Sequence, residues 1–389
     1  MSSKTKQQTK PSVLRHLRAS DLRGAAQLAT AATAGVTRMV EGVHQAVLQT
    51  LGARPGAEPG QTSGLTGLVY RGVQGANRLV GRGLERSLAA LEPLFVRLDG
   101  EPPGTPEREA VLAALNGVIG DRLAAADSPL ATTMSLRQGV QPLAALPGAG
   151  NGRYLLLIHG LCMNDLQWQH EGHDHGRALG ESLGLTPLYL RYNTGRPIAD
   201  NGHALALLLE QHLASAPDAR LDVLAHSMGG LVIRRALQSA KAQGLQWPKR
   251  LGRLIFLGTP HLGAPLERAG HGVDLLLGST RYTAPLARLG RLRSAGITDL
   301  RHGIGLELPL PEQVACFSYA ATLAARRGAL ADRLLGDGLV PLRSALGQAD
   351  EGQQGLAFMP DRQVIGYRMG HLELLSRSEV TMQLQAWLA

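Results

Sequence analysis

Residues 221–230 read LDVLAHSMGG. An apolar run of strand type ends in a serine among small residues, and a helical stretch, GGLVIRRALQSAKAQG, follows at once. A strand, a sharp turn and a helix in so few residues need small side chains at the turn, because strand and helix come close. Ala225 and Gly229 supply them. Such a joint lifts the serine Oγ above the strand ends and sets a helix N-terminus behind it, where developing negative charge is favoured. A structural serine in a glycine-rich turn has the same letters, so the decision rests on partners elsewhere in the chain.

The surroundings of this stretch repeat its pattern. Apolar runs at 154–160 (YLLLIHG), 186–193, 253–260 (RLIFLGTP), 313–321 and 362–368 alternate with helical stretches such as 201–214 and 376–388. Strands apolar on both faces and separated by helices imply a parallel sheet covered on both sides. Ligands of such sheets bind outside the carboxyl ends of the strands, so the informative residues are those just after each run.

A serine hydroxyl is a weak nucleophile alone and needs a base oriented by an acid. On a strand–serine–helix joint these follow in the order serine, acid, histidine. Asp337 lies between two glycines in LLGDGLVPLRSA, after the fifth long run. His371 lies in YRMGHLELL, just after the sixth. His371 is the expected base for Ser227, and Asp337 the expected orienting acid. Asp332, Asp361 and Glu373 are rival acids; Asp332 has a more helical context, and Glu373 is too near His371 in sequence to reach behind it. An oxyanion needs two N–H donors. The elbow offers the amide of Met228, and the loop in LLLIHGLCMND offers that of Leu161, with Gly160 allowing the turn. His159 reads as orienting that loop.

Together IHGL, AHSMGG, GTPHLGAP (258–265), GDGLVP and GHLELL resemble α/β-hydrolases of the bacterial lipase type, and also lipases similar to the GPI inositol deacylases. The likeness spans about residues 150–389. It implies the α/β-hydrolase fold, a serine–acid–histidine set at Ser227, Asp337 and His371, hydrolysis of an ester that is often lipid-like, and a mobile cap. Ala225 stands where glycine is commoner, a variation the resemblance also includes. Residues 264–312 interrupt the sheet pattern and are the candidate lid.

The expected organisation is a basic tail over 1–19, helices over 20–126 and the hydrolase domain over 127–389. The tail is polar enough to be disordered. The helices carry apolar stripes (Val36, Val40, Val43, Val47, Leu51, then Leu65, Leu68, Val69, Val73, Leu79, Val80, Leu84, Leu88 and Leu91) broken by segments rich in Pro and Gly. Nothing in a minimal lipase corresponds to them. They either pack on protein or lie on a membrane surface beside the tail.

Composition narrows the classes. The 389 residues have a formal charge of +9, and aromatics are only 4%. Few aromatics argue against a reader of nucleic acid that stacks bases, while the basic balance suits anionic partners such as phospholipid head groups. Cys162 and Cys316 are the only cysteines; two packed thiols, not a disulfide framework, suit a reducing compartment. No apolar region of signal type follows the N-terminal charges and no run reaches transmembrane length. The expectation is a cytoplasmic protein, with peripheral membrane contact open.

His170, His173, Asp174 and His175 crowd one loop. Such side chains can hold a metal, but a polar helix start or substrate rim reads better, and neither metal nor cofactor is expected. Met163 and Trp168 line an acyl pocket or simply pack. The leading expectation is a serine ester hydrolase working through an acyl-enzyme. The alternatives are an acyltransferase on the same residues, or an interaction protein built on a hydrolase scaffold that docks a membrane or partner.

Overall fold

The computed structural model describes residues 18–50, 64–99, 105–139, 141–147, 152–264, 293–304, 308–326, 336–348 and 355–389. The chain forms two compact units, one of Met1–Arg108 with Asp127–Leu130 and one of Glu109–Ala126 with Ala131–Ala389.

The larger unit is built on a sheet of seven strands: β1 (Ser135–Arg137), β2 (Arg153–Ile158), β3 (Thr186–Arg191), β4 (Arg220–His226), β5 (Leu251–Leu257), β6 (Ala315–Thr322) and β7 (Gln363–Tyr367). Their order is β1-β3-β2-β4-β5-β6-β7. All neighbours are parallel except β1, which pairs antiparallel with β3 through Ser135–Arg191 and Leu136–Leu190. This is the α/β-hydrolase fold. The short edge strand β1 was not foreseen: SLR is too brief to show a period, and it pairs only because the chain returns beside β3.

The connections are α4 (His175–Leu183) between β2 and β3, α5 (Ile198–Ala214) between β3 and β4, and α6 (Met228–Gln243) between β4 and β5. On one face of the sheet Leu155, Leu157, Leu224, Ile255 and Leu257 join Leu179 of α4 and Leu384 and Trp387 of the C-terminal helix Ser378–Leu388. Met163 and Trp168 belong to this core. Strand side chains alternate between faces, so fully buried Leu156, Ile158, Val223 and Ala225 serve the opposite face. Strands buried on both faces need a continuous apolar run, and this chain has them.

The strand order places the site. From β2 the chain steps outward to β3, then returns past β2 to β4. The sheet therefore reverses direction of growth between β2 and β4, and the loops leaving their carboxyl ends diverge to opposite faces. The crevice at such a switch is where open parallel sheets bind ligands.

The third N-terminal helix, α3 (Pro106–Ala125), belongs from Glu109 onward to the larger unit. The expected grouping had placed it with the helices before it. Asn164 donates to the Glu109 carbonyl at 2.9 Å, Asn193 to the Gly120 carbonyl at 2.9 Å, and Ser294 to the Gly117 carbonyl at 2.7 Å. Arg191 of β3 joins the carboxylates of Glu109 and Asp165. The helix thus braces the loops leaving β2 and β3. An amphipathic period shows that a helix has a partner, and not which one.

The smaller unit holds α1 (Ala19–Thr50) and α2 (Gly64–Asp99), packed antiparallel. Polar groups cross between them: Gln27 donates to Glu85 at 2.6 Å, Asn77 to the Thr30 carbonyl at 3.0 Å, and Gln74 to Glu41 at 3.0 Å. Arg108 holds Asp21 in a two-pronged pair of 2.7 and 2.6 Å. No helix among the described residues is long and apolar enough to cross a membrane.

Most of the candidate lid and nearly all of the tail lie outside the described residues. Of the lid region, the helix Ala295–His302 is described; Ser294 caps it, and Ala264 donates to the Leu300 carbonyl at 3.0 Å.

Candidate active site

Ser227 sits between β4 and α6 with φ 54° and ψ −126°. A serine rarely adopts a positive φ, and here the surroundings impose it. Its N–H donates to the Leu257 carbonyl at 2.8 Å, tying it to the end of β5, while the Gly230 N–H donates to the Ser227 carbonyl at 3.1 Å and starts the helix. A Cβ on Gly229 would lie 2.8 Å from the His159 carbonyl oxygen and against that of Ile158. Only glycine lets the helix start so close to β2.

The loop after β2 meets the serine. A Cβ on Gly160 would stand 3.4 Å from Ser227 Oγ. The next residue, Leu161, is buried, as is Met228 on the elbow side. The loop is held from several directions. Cys162, at φ 58°, donates its amide to Thr194 Oγ1 at 3.2 Å. His159 stacks on Tyr192 at 4.4 Å, and the Tyr192 hydroxyl donates to the His159 carbonyl at 2.8 Å. His159 Nδ1 lies 3.0 Å from the Gly160 carbonyl. Burial pushes this imidazole down to about 3, so it stays neutral. Burial pushes the Cys162 thiol up to about 12, which leaves it no thiolate character.

Asp337 and His371 come together after β6 and β7. His371 Nδ1 donates to Asp337 Oδ2 at 2.7 Å. The other carboxylate oxygen accepts from the amides of Leu339 at 3.0 Å and Val340 at 2.7 Å. The His371 amide donates to the Asp337 carbonyl at 3.1 Å. Both side chains are buried. The flanking glycines of Asp337 have positive φ, 43° at Gly336 and 94° at Gly338, so the GDG triplet is a turn that directs the carboxylate inward. With Nδ1–H committed to the carboxylate, the Nε2 lone pair of His371 is left as an acceptor.

Gly258 links this pair to the elbow. It follows Leu257, whose carbonyl holds the Ser227 amide. It has φ 56°, and a Cβ there would lie 3.2 Å from both Asp337 Oδ2 and His371 Cε1. The first glycine of GTPHLGAP is therefore a space for the Asp337–His371 pair. Sequence reading noted the motif without this reason for it.

His226 was also missed, although it precedes the serine. Its Nε2 lies 3.2 Å from the His371 carbonyl, and the two rings are 4.6 Å apart. Burial, then the neighbouring His371, holds it well below the usual imidazole range. A neutral His226 donating from Nε2 supports the His371 backbone. A buried histidine beside a strained serine gives no signal in sequence that separates it from any core histidine.

The other acid candidates stand apart. Glu373 accepts from the Gly370 amide at 2.6 Å and pairs with Arg377 at 2.6 Å; Asp361 is exposed; Asp332 lies outside the described residues. In the histidine-rich loop, Asp174 caps α4, accepting from the Arg177 amide at 3.0 Å, and also accepts from the Tyr189 hydroxyl at 2.8 Å. His175 Nε2 donates to the Leu374 carbonyl at 2.9 Å, while its Nδ1 lies 3.0 Å from His173 Nε2. These contacts tie α4 to the turn after His371.

A family model described as a domain of unknown function, DUF7379, matches residues 131–305. No curated protein matches the chain. Among solved structures it is similar to the mature Bacillus licheniformis lipase BlEst2, at 16% identity and a TM-score of 0.42, covering 66% of this chain and 98% of that one. It is also similar to a Bacillus subtilis hydrolase, at 11% identity and a TM-score of 0.40, covering 71% and 99%. Staphylococcus hyicus lipase is similar at 11% identity and a TM-score of 0.36, covering 63% and 95%. At such identity the chemistry has to be argued from this chain's own residues.

Proposed function

We propose that the chain is a serine hydrolase of carboxylic esters, with Ser227 as nucleophile, His371 as general base and acid, and Asp337 as its orienting partner. The observation that carries this reading is the strained elbow at Ser227, one residue from a ring 4.6 Å from His371, with His371 itself bonded to a carboxylate at 2.7 Å.

The chemistry follows from the groups. Ser227 Oγ attacks the ester carbonyl carbon as its proton passes to His371 Nε2. The Asp337 carboxylate stabilises the imidazolium and keeps the ring turned. The amides of Leu161 and Met228 are assigned to the developing oxyanion. His371 then protonates the leaving alcohol, the acyl group stays on Ser227, and water releases the acid by the reverse sequence. No group outside this set is needed. An apolar acyl chain is the proposed substrate because Leu161 and Met228, next to Gly160 and Ser227 in the chain, are apolar. Fold alone does not select a substrate.

The test is labelling by a fluorophosphonate and turnover of p-nitrophenyl esters from acetyl to dodecanoyl. Wild type is expected to label at Ser227 and to turn over the series, and Ser227→Ala to lose roughly a thousandfold or more in kcat. Absence of both labelling and turnover in folded wild type overturns the reading.

A further inference from the structure

Several apolar residues of α2 are on the outside. On α2, Leu68 is 61% exposed, Leu79 76% and Val80 67%, and Val69 and Val73 are exposed with them. At about 100° per residue these five fall on one arc, with Gly72, Ala76 and Gly83 between them. The glycines confirm which way the arc faces. A Cβ on Gly72 or Gly83 would meet nothing within 4 Å, whereas one on Gly81 would press on Thr30 of α1. Gln74, Asn77 and Glu85 occupy the side that bonds α1.

Charge is sorted on the same helix. Arg71, Arg78, Arg82 and Arg86 are exposed and fall together along one flank of the apolar arc. The acid within this stretch, Glu85, is turned to α1, where Gln27 donates to it. An apolar arc with a cationic flank fits a lipid surface bearing negative head groups: the arc enters the boundary between head groups and acyl chains, and the guanidiniums bind phosphate. A bare polyanion would have no use for the exposed leucine and valines. A second copy of the chain would set the arginine flanks of two helices near each other without an acidic flank to answer them.

We infer that α2 is a docking face for an anionic membrane surface. This goes beyond ester hydrolysis and does not depend on it.

The experiment is cosedimentation of the full chain with sucrose-loaded vesicles of phosphatidylcholine alone or with phosphatidylglycerol. Wild type is expected to bind the anionic vesicles at least about tenfold more tightly than the neutral ones. Replacing Arg71, Arg78, Arg82 and Arg86 by Gln should remove that preference, and Leu68→Ser with Leu79→Ser and Val80→Ser should weaken binding to anionic vesicles about tenfold or more. All five apolar positions are exposed, so the variants should keep the wild-type Tm, which is read in parallel. Binding that survives both sets of changes, and is lost when Lys4, Lys6 and Lys10 of the basic tail become Gln, overturns the inference. So does wild type that ignores anionic vesicles, or a dimer in sedimentation that Leu79→Glu dissociates without vesicle binding.

Discussion

The crevice end of the sheet and the α1–α2 pair are built on opposite plans. Around Ser227 the apolar residues are inside, and several polar groups there are held by named partners. Asp337 has three donors, the His371 ring lies between a carboxylate and His226, and the loop after β2 is fixed from β3. In the α1–α2 pair, polar side chains bond across between the helices and Leu68, Val69, Val73, Leu79 and Val80 of α2 face outward. A buried polar group is costly unless bonded, so the first plan produces one rigid geometry. Exposed leucines and valines contribute little to folding, so the second plan makes sense only for a surface that meets something else. The molecule thus separates what must be held still from what must be offered.

The largest effect that would sharpen this contrast is at the acid. Asp337→Asn keeps a carbonyl oxygen for the Leu339 and Val340 amides but turns an NH2 toward His371 Nδ1. That forces the ring into the wrong tautomer. Activity on p-nitrophenyl esters is expected to fall by roughly 10⁴-fold with Tm little changed. A variant retaining a tenth of wild-type activity would break the assignment of Asp337 and return the role to another carboxylate.

Stability should divide the two regions next. Leu157 is fully buried in the core cluster, and Leu157→Ala is expected to cost about 2–5 kcal/mol in urea unfolding. Leu79→Ser, at a position already in water, is expected to change stability by less than about 0.5 kcal/mol. Equal losses at both sites would mean that the arc on α2 is part of a folded core, and the contrast would collapse.

Acid should tell the two regions apart as well. Burial lowers His159 to about 3 and His175 to about 4, and holds His226 and His261 well below the ordinary range. Their folded pKa values lie under the unfolded value, so the unfolded chain binds more protons below pH about 6.5. Stability from these neutral rings is present above that pH and is lost as pH falls toward 4. The slope is about 1.4 kcal/mol per pH unit for each histidine still neutral when folded. The α1–α2 pair has no histidine among its described residues except His44, so the acid loss should be read in the larger unit. A urea midpoint flat from pH 7 to 4.5 contradicts it.

The site was legible in the sequence to an unequal degree. Ser227 and His371 stood out because each lies just past an apolar run near glycine, and Asp337 because it lies between two glycines. The rank of Asp337 over Asp361 and Glu373 came from that context; in the fold Asp337 bonds His371 at 2.7 Å while Glu373 pairs with Arg377. His226 and Gly258 were not visible in these roles. Their importance lies in contacts between residues separated by 79 or more positions in the chain. The histidine-rich loop reads as a polar helix start or substrate rim, and in the fold Asp174 caps α4 while His175 bonds the Leu374 carbonyl.

Residue order along the chain was enough for the periods of the elements, the serine elbow and the residue types at the strand ends. These depend on neighbours a few positions apart, where backbone sterics and side-chain spacing act directly. The order of the strands, the membership of α3 in the larger unit, the gap that Gly258 leaves for the acid and base, and the outward turn of the α2 arc came from the folded chain. Each is a choice of partner among several apolar or polar surfaces of similar local pattern. Burial and hydrogen bonding summed over the whole fold make that choice, and no short window of sequence contains the sum.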